Sequence, residues 1–335
     1  MTHVSYLETA HSGSPGRRGG LIFSLIVIPR RSISSYNATM TKAAPSRPPH
    51  APTHPRWRLL ACDLDGTLIH PGESIAPADR HALEQARAHG IHVTICTGRN
   101  SYESRRIIAA GGFVGAGVFA NGASVCDMTT GRSLTTACVP ADIIDATIAL
   151  FGELGHATLL LVDDPATGLP EYYFTQHAPP HRGTQEWMIY HKAQARVVET
   201  LSPELKAHTL RLSVVVSAGE AVAVEARVAV LFGPRITHHS IYSATFDCQV
   251  IEVFAAHVDK WTGLLRLCEL MDIPPTAVVT IGDDVNDLAM LTAAPLSFAM
   301  ANGSPKAKAA AKHTTGSLAE HGVAQAIAQL LRADA

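Results

Sequence analysis

Asp63 and Asp65 stand one residue apart at the end of a short apolar run, Leu59-Leu60-Ala61-Cys62, and Gly66 and Thr67 follow at once. An apolar run of that length reads as a buried strand whose tip emerges where the sheet stops, and open sheets bind ligands at the carboxyl ends of their strands. Two carboxylates so placed can share one divalent cation while only one of them attacks a substrate. That division of labour points to phosphoryl transfer. Asp-Gly after a strand is also ordinary turn chemistry, so the pair alone leaves both readings open.

Three further segments supply the other parts of such chemistry. Residues 91–99 read as a second strand ending in Thr97 and Gly98, whose hydroxyl and backbone N–H suit phosphoryl oxygens. Lys260 opens a helical pattern through Leu264, Leu265, Leu267 and Leu270, and can reach a dianion. The β-branched run Val278-Val279-Thr280-Ile281 ends in Gly282, Asp283, Asp284, Asn286 and Asp287. Acids clustered at a buried strand end repel one another unless a cation neutralises them.

Taken in order, Asp63-Leu64-Asp65-Gly66-Thr67, Thr97-Gly98-Arg99, Lys260 and Gly282-Asp283-Asp284-Val285-Asn286-Asp287 resemble the four motifs of the haloacid dehalogenase-like (HAD) hydrolases. Among these the chain is most similar to the Cof-type phosphatases with a IIB cap. The resemblance runs from about Arg58 to near the C-terminus, with local agreement at residues 119–124 and 298–302. It implies that Asp63 is the nucleophile of an aspartyl-phosphate mechanism and Asp65 the general acid and base. It further implies a Mg²⁺ ion held by Asp63, the Asp65 backbone carbonyl and Asp283, since the donors are hard oxygens. Thr97, Gly98, Lys260 and Asn286 are then expected to hold the phosphoryl oxygens. Asp287 is expected to orient Lys260 or a metal-bound water, and Asp284 has no assigned role. Two positions depart from the family pattern: Trp261 replaces a small residue and is expected to pack on the core, and His257 replaces glycine.

Those motifs must be carried by alternating strands and helices, which mean an α/β fold with a parallel, doubly wound sheet. The catalytic core is expected over residues 56–124 and 243–335, with an inserted α/β cap over 125–242. A cap over the strand tips excludes water and reads the rest of the substrate. Within it Asp163, Asp164, His181, Arg182, Trp187 and His191 are candidate contacts, and nothing in the sequence selects among them.

Composition sets outer limits. The chain has 335 residues, 47% hydrophobic and 17% charged, with a net charge of −2 that argues against a nucleic-acid partner. Its six cysteines form no Cys-x-x-Cys pair, which suits reduced core thiols in a cytoplasmic protein. Residues 1–55 are rich in proline, serine and arginine with the single acid Glu8, the composition of a disordered tail. A start at Met40 and a targeting segment are the other readings of this stretch; its apolar run at 21–28 is far short of the roughly 18 residues needed to span a membrane. The expected activity is Mg²⁺-dependent hydrolysis of a small phosphorylated metabolite, a sugar phosphate or a nucleotide or flavin-type monophosphate. A phosphomutase, a dedicated sugar-phosphate phosphatase and a catalytically silent phospholigand-binding protein are the alternatives, and the oligomeric state is open.

Overall fold

A computed structural model describes residues 56–70, 74–176, 178–243 and 245–333. The expectations for residues 1–55 lie outside the described residues. Five parallel strands form one sheet in the order His313–Thr314, Leu296–Ala299, Val278–Gly282, Leu59–Cys62, His92–Ile95. Leu59–Cys62 sits inside this sheet with all four residues buried, as its unbroken apolar character requires. Leu60 and Cys62 face one layer with Leu83, Ile95, Val323 and Ile327. Leu59 and Ala61 face the other with Leu264, Leu267 and Met290. Helices cover both faces, so the doubly wound arrangement follows from which residues alternate.

A second sheet has six strands in the order Ala195–Val198, Leu169–Thr175, Leu159–Asp164, Thr209–Val216, Cys248–Ala255, Ile236–Ser243. Its pairings are antiparallel except for Ala195–Val198 on Leu169–Thr175. Helices Ala141–Glu153 and Ala218–Phe232 pack on one face, against Leu160, Val162, Leu212, Val214, Ile251 and Val253. The opposite face carries Leu159, Arg211, Ser213, Val250 and Glu252, which line a cavity shared with the first sheet's strand tips.

Two expected boundaries are corrected. Cys248–Ala255, expected in the core from residue 243 onward, pairs with Ile236–Ser243 and Thr209–Val216 in the cap sheet. A tight connection after Ile236–Ser243 makes the next strand its natural antiparallel partner, and an apolar run does not disclose which sheet it joins. At the other end, the hairpin Ser124–Asp127 and Ser133–Thr136, expected to open the cap, pairs with Ala116–Phe119. That strand bridges to the core sheet through Cys96 and Val118, so the hairpin extends the core edge.

Trp261 packs, partly buried, against the core cluster containing Leu264 and Leu267, as expected. His257 adopts φ +61°, the left-handed region that suits the glycine of the family pattern. All six cysteines are free, and burial pushes the thiols of Cys62 and Cys96 well above their ordinary range. Among the described residues no helix is long and apolar enough to cross a membrane.

Candidate active site

Parallel register pairs Cys62 with Ile281 on one side and with Ile95 on the other, so Asp63, Thr97 and Asp283 emerge from neighbouring strand ends. Lys260 is the first residue of the helix Lys260–Met271, whose N-terminus is capped by Asp259 accepting the Thr262 N–H at 2.8 Å. The lysine is fully buried. Its Nζ donates to Asp63 Oδ1 at 2.6 Å and to Asp287 Oδ1 at 2.5 Å. Asp287 Oδ2 accepts the backbone N–H groups of Asp283 at 2.8 Å and Asp284 at 3.0 Å. Both oxygens of Asp287 are thus engaged, and this carboxylate fixes the lysine and the loop together. Asp284 caps the short 3₁₀ turn Val285–Asp287 and reaches the cavity wall.

The charges here are expensive to bury. Burial pushes the Asp63 carboxyl well above its ordinary value, Asp287, Asp283 and Asp65 add to the rise, and Lys260 opposes it. Asp283 is pushed up to about 7, by burial first and then by Asp287, while the Thr67 hydroxyl donating to its Oδ1 at 2.8 Å works the other way. Burial disfavours a charged Lys260, yet Asp287 and Asp63 outweigh it and hold the ammonium protonated. Asp63, Asp283 and Asp287 each bring a carboxylate oxygen within 4.8 Å of the other two. With Asp287 saturated by donors, Asp63 and Asp283 are the oxygens left for a cation, and two hard donors beside retained waters fit Mg²⁺. Gly66 makes room for them: at φ +78°, a Cβ there would lie 2.3 Å from Asp283 Oδ2.

Thr97 is buried, and its Oγ1 accepts the Arg99 N–H at 3.2 Å, leaving its own proton to donate. Gly98 and Asn286 line the cavity. Asp65 differs from its neighbours in being exposed, and Arg99 grips its carboxylate with two hydrogen bonds, Nε to Oδ2 at 2.8 Å and a terminal nitrogen to Oδ1 at 2.7 Å. Strand ends and the start of the helix Lys260–Met271 thus bring Asp63, Thr97, Asp283 and Lys260 together.

Four participants were not anticipated from sequence: Arg99, Asn121, Arg211 and Glu252. Asn121 Oδ1 accepts from Asn286 Nδ2 at 3.1 Å, and its own amide donates to Glu252 Oε2 at 2.9 Å. Glu252 Oε1 pairs with Arg211 at 2.6 Å, and Arg211 also donates to the Gly98 carbonyl at 3.2 Å. A chain of polar contacts thus joins the phosphate-side loops to the cap sheet. The signal for Arg211 and Glu252 was present, since a charge inside an apolar strand run has to be paired when buried.

Asn121 and Gly122 hold this junction in left-handed backbone, at φ +52° and φ +97°. A Cβ on Gly122 would lie 2.0 Å from the Asp259 carbonyl oxygen, directly before the lysine. Gly122→Ala is therefore expected to cost more than about 2 kcal/mol, because it adds a backbone clash to an unfavourable φ. Urea unfolding of the variant beside the parent measures this.

The cavity over these groups has a volume of about 800 Å³, within the range of small-molecule sites. Of the cap candidates, Trp187 and His191 line it, on the helix Arg182–His191. The other four engage elsewhere. Asp163 accepts from Ser133 at 3.0 Å and Asp164 from Tyr173 at 2.6 Å. His181 caps the helix through the Gly183 N–H at 3.1 Å, and Arg182 pairs with Glu186 at 3.3 Å.

Comparison with known proteins agrees with this geometry. The family model described as haloacid dehalogenase-like hydrolase matches residues 60–327. The Bacillus subtilis protein YxeH, whose given name assigns it provisionally to the phosphatases, is 26% identical over 288 residues, covering 83% of this chain and 99% of that protein. An HMP-PP phosphatase of Yersinia pestis is 26% identical over 255 residues, 75% of this chain and 86% of its own. Among solved structures, a haloacid dehalogenase-like hydrolase from Bacteroides thetaiotaomicron superposes with a TM-score of 0.66 at 22% identity, covering 82% of this chain and 99% of that one. A sugar phosphatase of HAD subclass IIB gives 0.67 at 19% identity, with 82% and 98% covered.

Proposed function

The chain belongs to the haloacid dehalogenase-like hydrolases and is a phosphatase of their Cof type, and from that premise we propose that it hydrolyses small phosphorylated metabolites with Mg²⁺ through an aspartyl-phosphate. One observation carries the reading: the fully buried Lys260 ammonium bridges Asp287 and Asp63, at 2.5 and 2.6 Å, and Asp63 and the neighbouring Asp283 line the cavity.

Asp63 attacks phosphorus as the ester P–O bond breaks, and Asp65 gives its proton to the departing alkoxide oxygen. Water then attacks the phosphorus, Asp65 takes its proton, the bond from Asp63 to phosphorus breaks and inorganic phosphate leaves. In the present arrangement both Asp65 oxygens accept from Arg99, so Asp65 has to give up at least one of these bonds before it can carry a proton to or from the reacting oxygen. Lys260 spends two N–H donors on Asp63 and Asp287, so its third is available to a phosphoryl oxygen. Thr97 Oγ1, the Gly98 N–H and the second amide proton of Asn286 are the remaining donors for those oxygens. A Mg²⁺ ion held by Asp63, Asp283 and the Asp65 carbonyl would offset phosphoryl charge and orient the group for attack.

Sugar phosphates and nucleotide or flavin-type monophosphates are the proposed substrates. A cavity of about 800 Å³ accommodates them, with Ser213 and the paired Arg211 and Glu252 on its polar wall and Trp187 and Tyr190 to meet a ring face. Two similar proteins are named as an HMP-PP phosphatase and a sugar phosphatase, both phosphatases of small molecules. The test is phosphate release from a panel of such esters. Chelation with EDTA is expected to lower turnover at least about 100-fold, and Mg²⁺ to restore it. Isomerisation of a sugar phosphate faster than its hydrolysis would instead identify a mutase, and tight binding without turnover a silent binder.

A further inference from the structure

Outside the catalytic centre, three elements meet at one edge of the core: the strand Ile69–His70, the helix Pro77–Ala88 and the turn entering the helix Gly322–Ala333. Asp79 is buried, 1% exposed, and its Oδ1 accepts the Ala324 N–H at 2.9 Å. Its Oδ2 is buried with no hydrogen-bond partner among the described residues, and the same holds for His70 Nε2 and His321 Nδ1. These residues converge: one ligand atom from each of His70, Asp79 and His321 lies within 4.8 Å of the other two. His321 Nδ1 stands 3.7 Å from Asp79 Oδ2, too far for a hydrogen bond.

A buried carboxylate oxygen without a close donor is costly: burial raises the Asp79 carboxyl above its ordinary range, and His321, at ion-pair distance, and His70 offset that only in part. A metal ion removes it. Ligand atoms at about 2.0–2.1 Å from a tetrahedral zinc stand about 3.4 Å apart, so the observed spacings close around an ion with side-chain shifts of about 1 Å or less. His321 takes a left-handed backbone, φ +58°, between Glu320 and Gly322. This is the left-handed cap that ends the 3₁₀ turn Leu318–Glu320.

We propose that His70, Asp79 and His321 form a zinc site, separate from the Mg²⁺ centre, that clasps the C-terminal helix to the segment following the catalytic aspartates. Two imidazoles and one carboxylate are a donor set that selects zinc over magnesium. The His321 side chain is about half exposed, so water can supply a fourth ligand. His70 and Leu318 also line the wall of the large cavity, so the clasp tethers that wall from behind.

The experiment uses the full chain carrying Asp283→Ala, which weakens the oxygen-rich catalytic cluster as a competing metal site. After EDTA treatment and gel filtration, Co²⁺ is titrated in the presence of excess Mg²⁺. The site predicts one equivalent of Co²⁺ with the strong visible absorption of a tetrahedral nitrogen-containing set, displaced by one equivalent of Zn²⁺. His70→Ala, Asp79→Asn and His321→Ala, each added separately, are expected to abolish that band. Saturating Zn²⁺ should raise the Tm of the otherwise unaltered chain by about 4 °C, and leave that of its His321→Ala variant unchanged. Absence of the band, or its persistence in the histidine variants, overturns the proposal whatever the phosphatase assays show.

Discussion

Asp63→Asn is expected to lower phosphatase turnover by at least about 10³-fold while leaving the fold intact. Asparagine keeps the shape of the side chain and can still meet the Lys260 ammonium through its carbonyl oxygen, so the buried contact at 2.6 Å is weakened without being emptied. What disappears is the anionic oxygen that forms the bond to phosphorus. The loss should appear in kcat, because the phosphate-side donors Thr97, Lys260 and Asn286 are unaltered and KM depends mainly on them. Circular dichroism and the unfolding midpoint of the variant separate this from a folding defect. Removing a carboxylate that burial makes costly should lower stability only slightly or even raise it.

Lys260→Met has the opposite profile, striking stability as well as rate. Methionine fills nearly the same volume, but Asp63 and Asp287 are left facing each other in a buried site without the ammonium that pairs both. Breaking a buried ion pair by removing one partner costs about 3–5 kcal/mol, and loss of one transition-state donor costs about 10²–10³ in rate. The sign of the pH dependence is fixed by Asp63. Its folded value is raised above the ordinary 3.8, so the folded state holds its proton more tightly than the unfolded state does. The penalty is therefore largest at neutral and higher pH and is relieved as pH falls towards that ordinary value. Urea midpoints of the variant and the parent, measured from pH 8 to pH 5, should converge on the acid side.

The candidate site residues were legible because each stands where an apolar run has to stop. Asp63, Thr97 and Asp283 end strands, and Lys260 begins a helix, so chain pattern alone put their side chains at element tips. Parallel pairing of Leu59–Cys62 with Val278–Gly282 and His92–Ile95 then brings those tips together. Arg211 and Glu252 were harder. Alternation along Thr209–Val216 and Cys248–Ala255 separates two faces but does not say which one meets the strand tips, because that depends on how two sheets oppose each other. The sheet membership of Cys248–Ala255 was hidden for the same reason: a buried strand reads alike in either sheet, and only its pairing with Ile236–Ser243 decides. Arg99 was in plain view beside Thr97 and Gly98, yet its target, Asp65, lies 34 residues away in sequence and is reached only through the fold. The cluster of His70, Asp79 and His321 draws on both ends of the core and has no local spacing that would mark it as a metal motif.

In the proposed mechanism the phosphoryl group passes to Asp63 before it reaches water. Asp65→Asn should slow the second step, because no carboxylate is left to take the proton of the attacking water, while an ester with a good leaving group still permits the first. Mixing that variant with p-nitrophenyl phosphate and Mg²⁺, quenching in acid within milliseconds to seconds and taking the intact mass reads the intermediate directly. One added phosphoryl group per chain is expected, mapped by peptide analysis to Asp63 and absent when Asp63→Asn is combined with it. Product release with no phosphoryl-enzyme at any quench time, or a phosphoryl group on a residue other than Asp63, would contradict this mechanism.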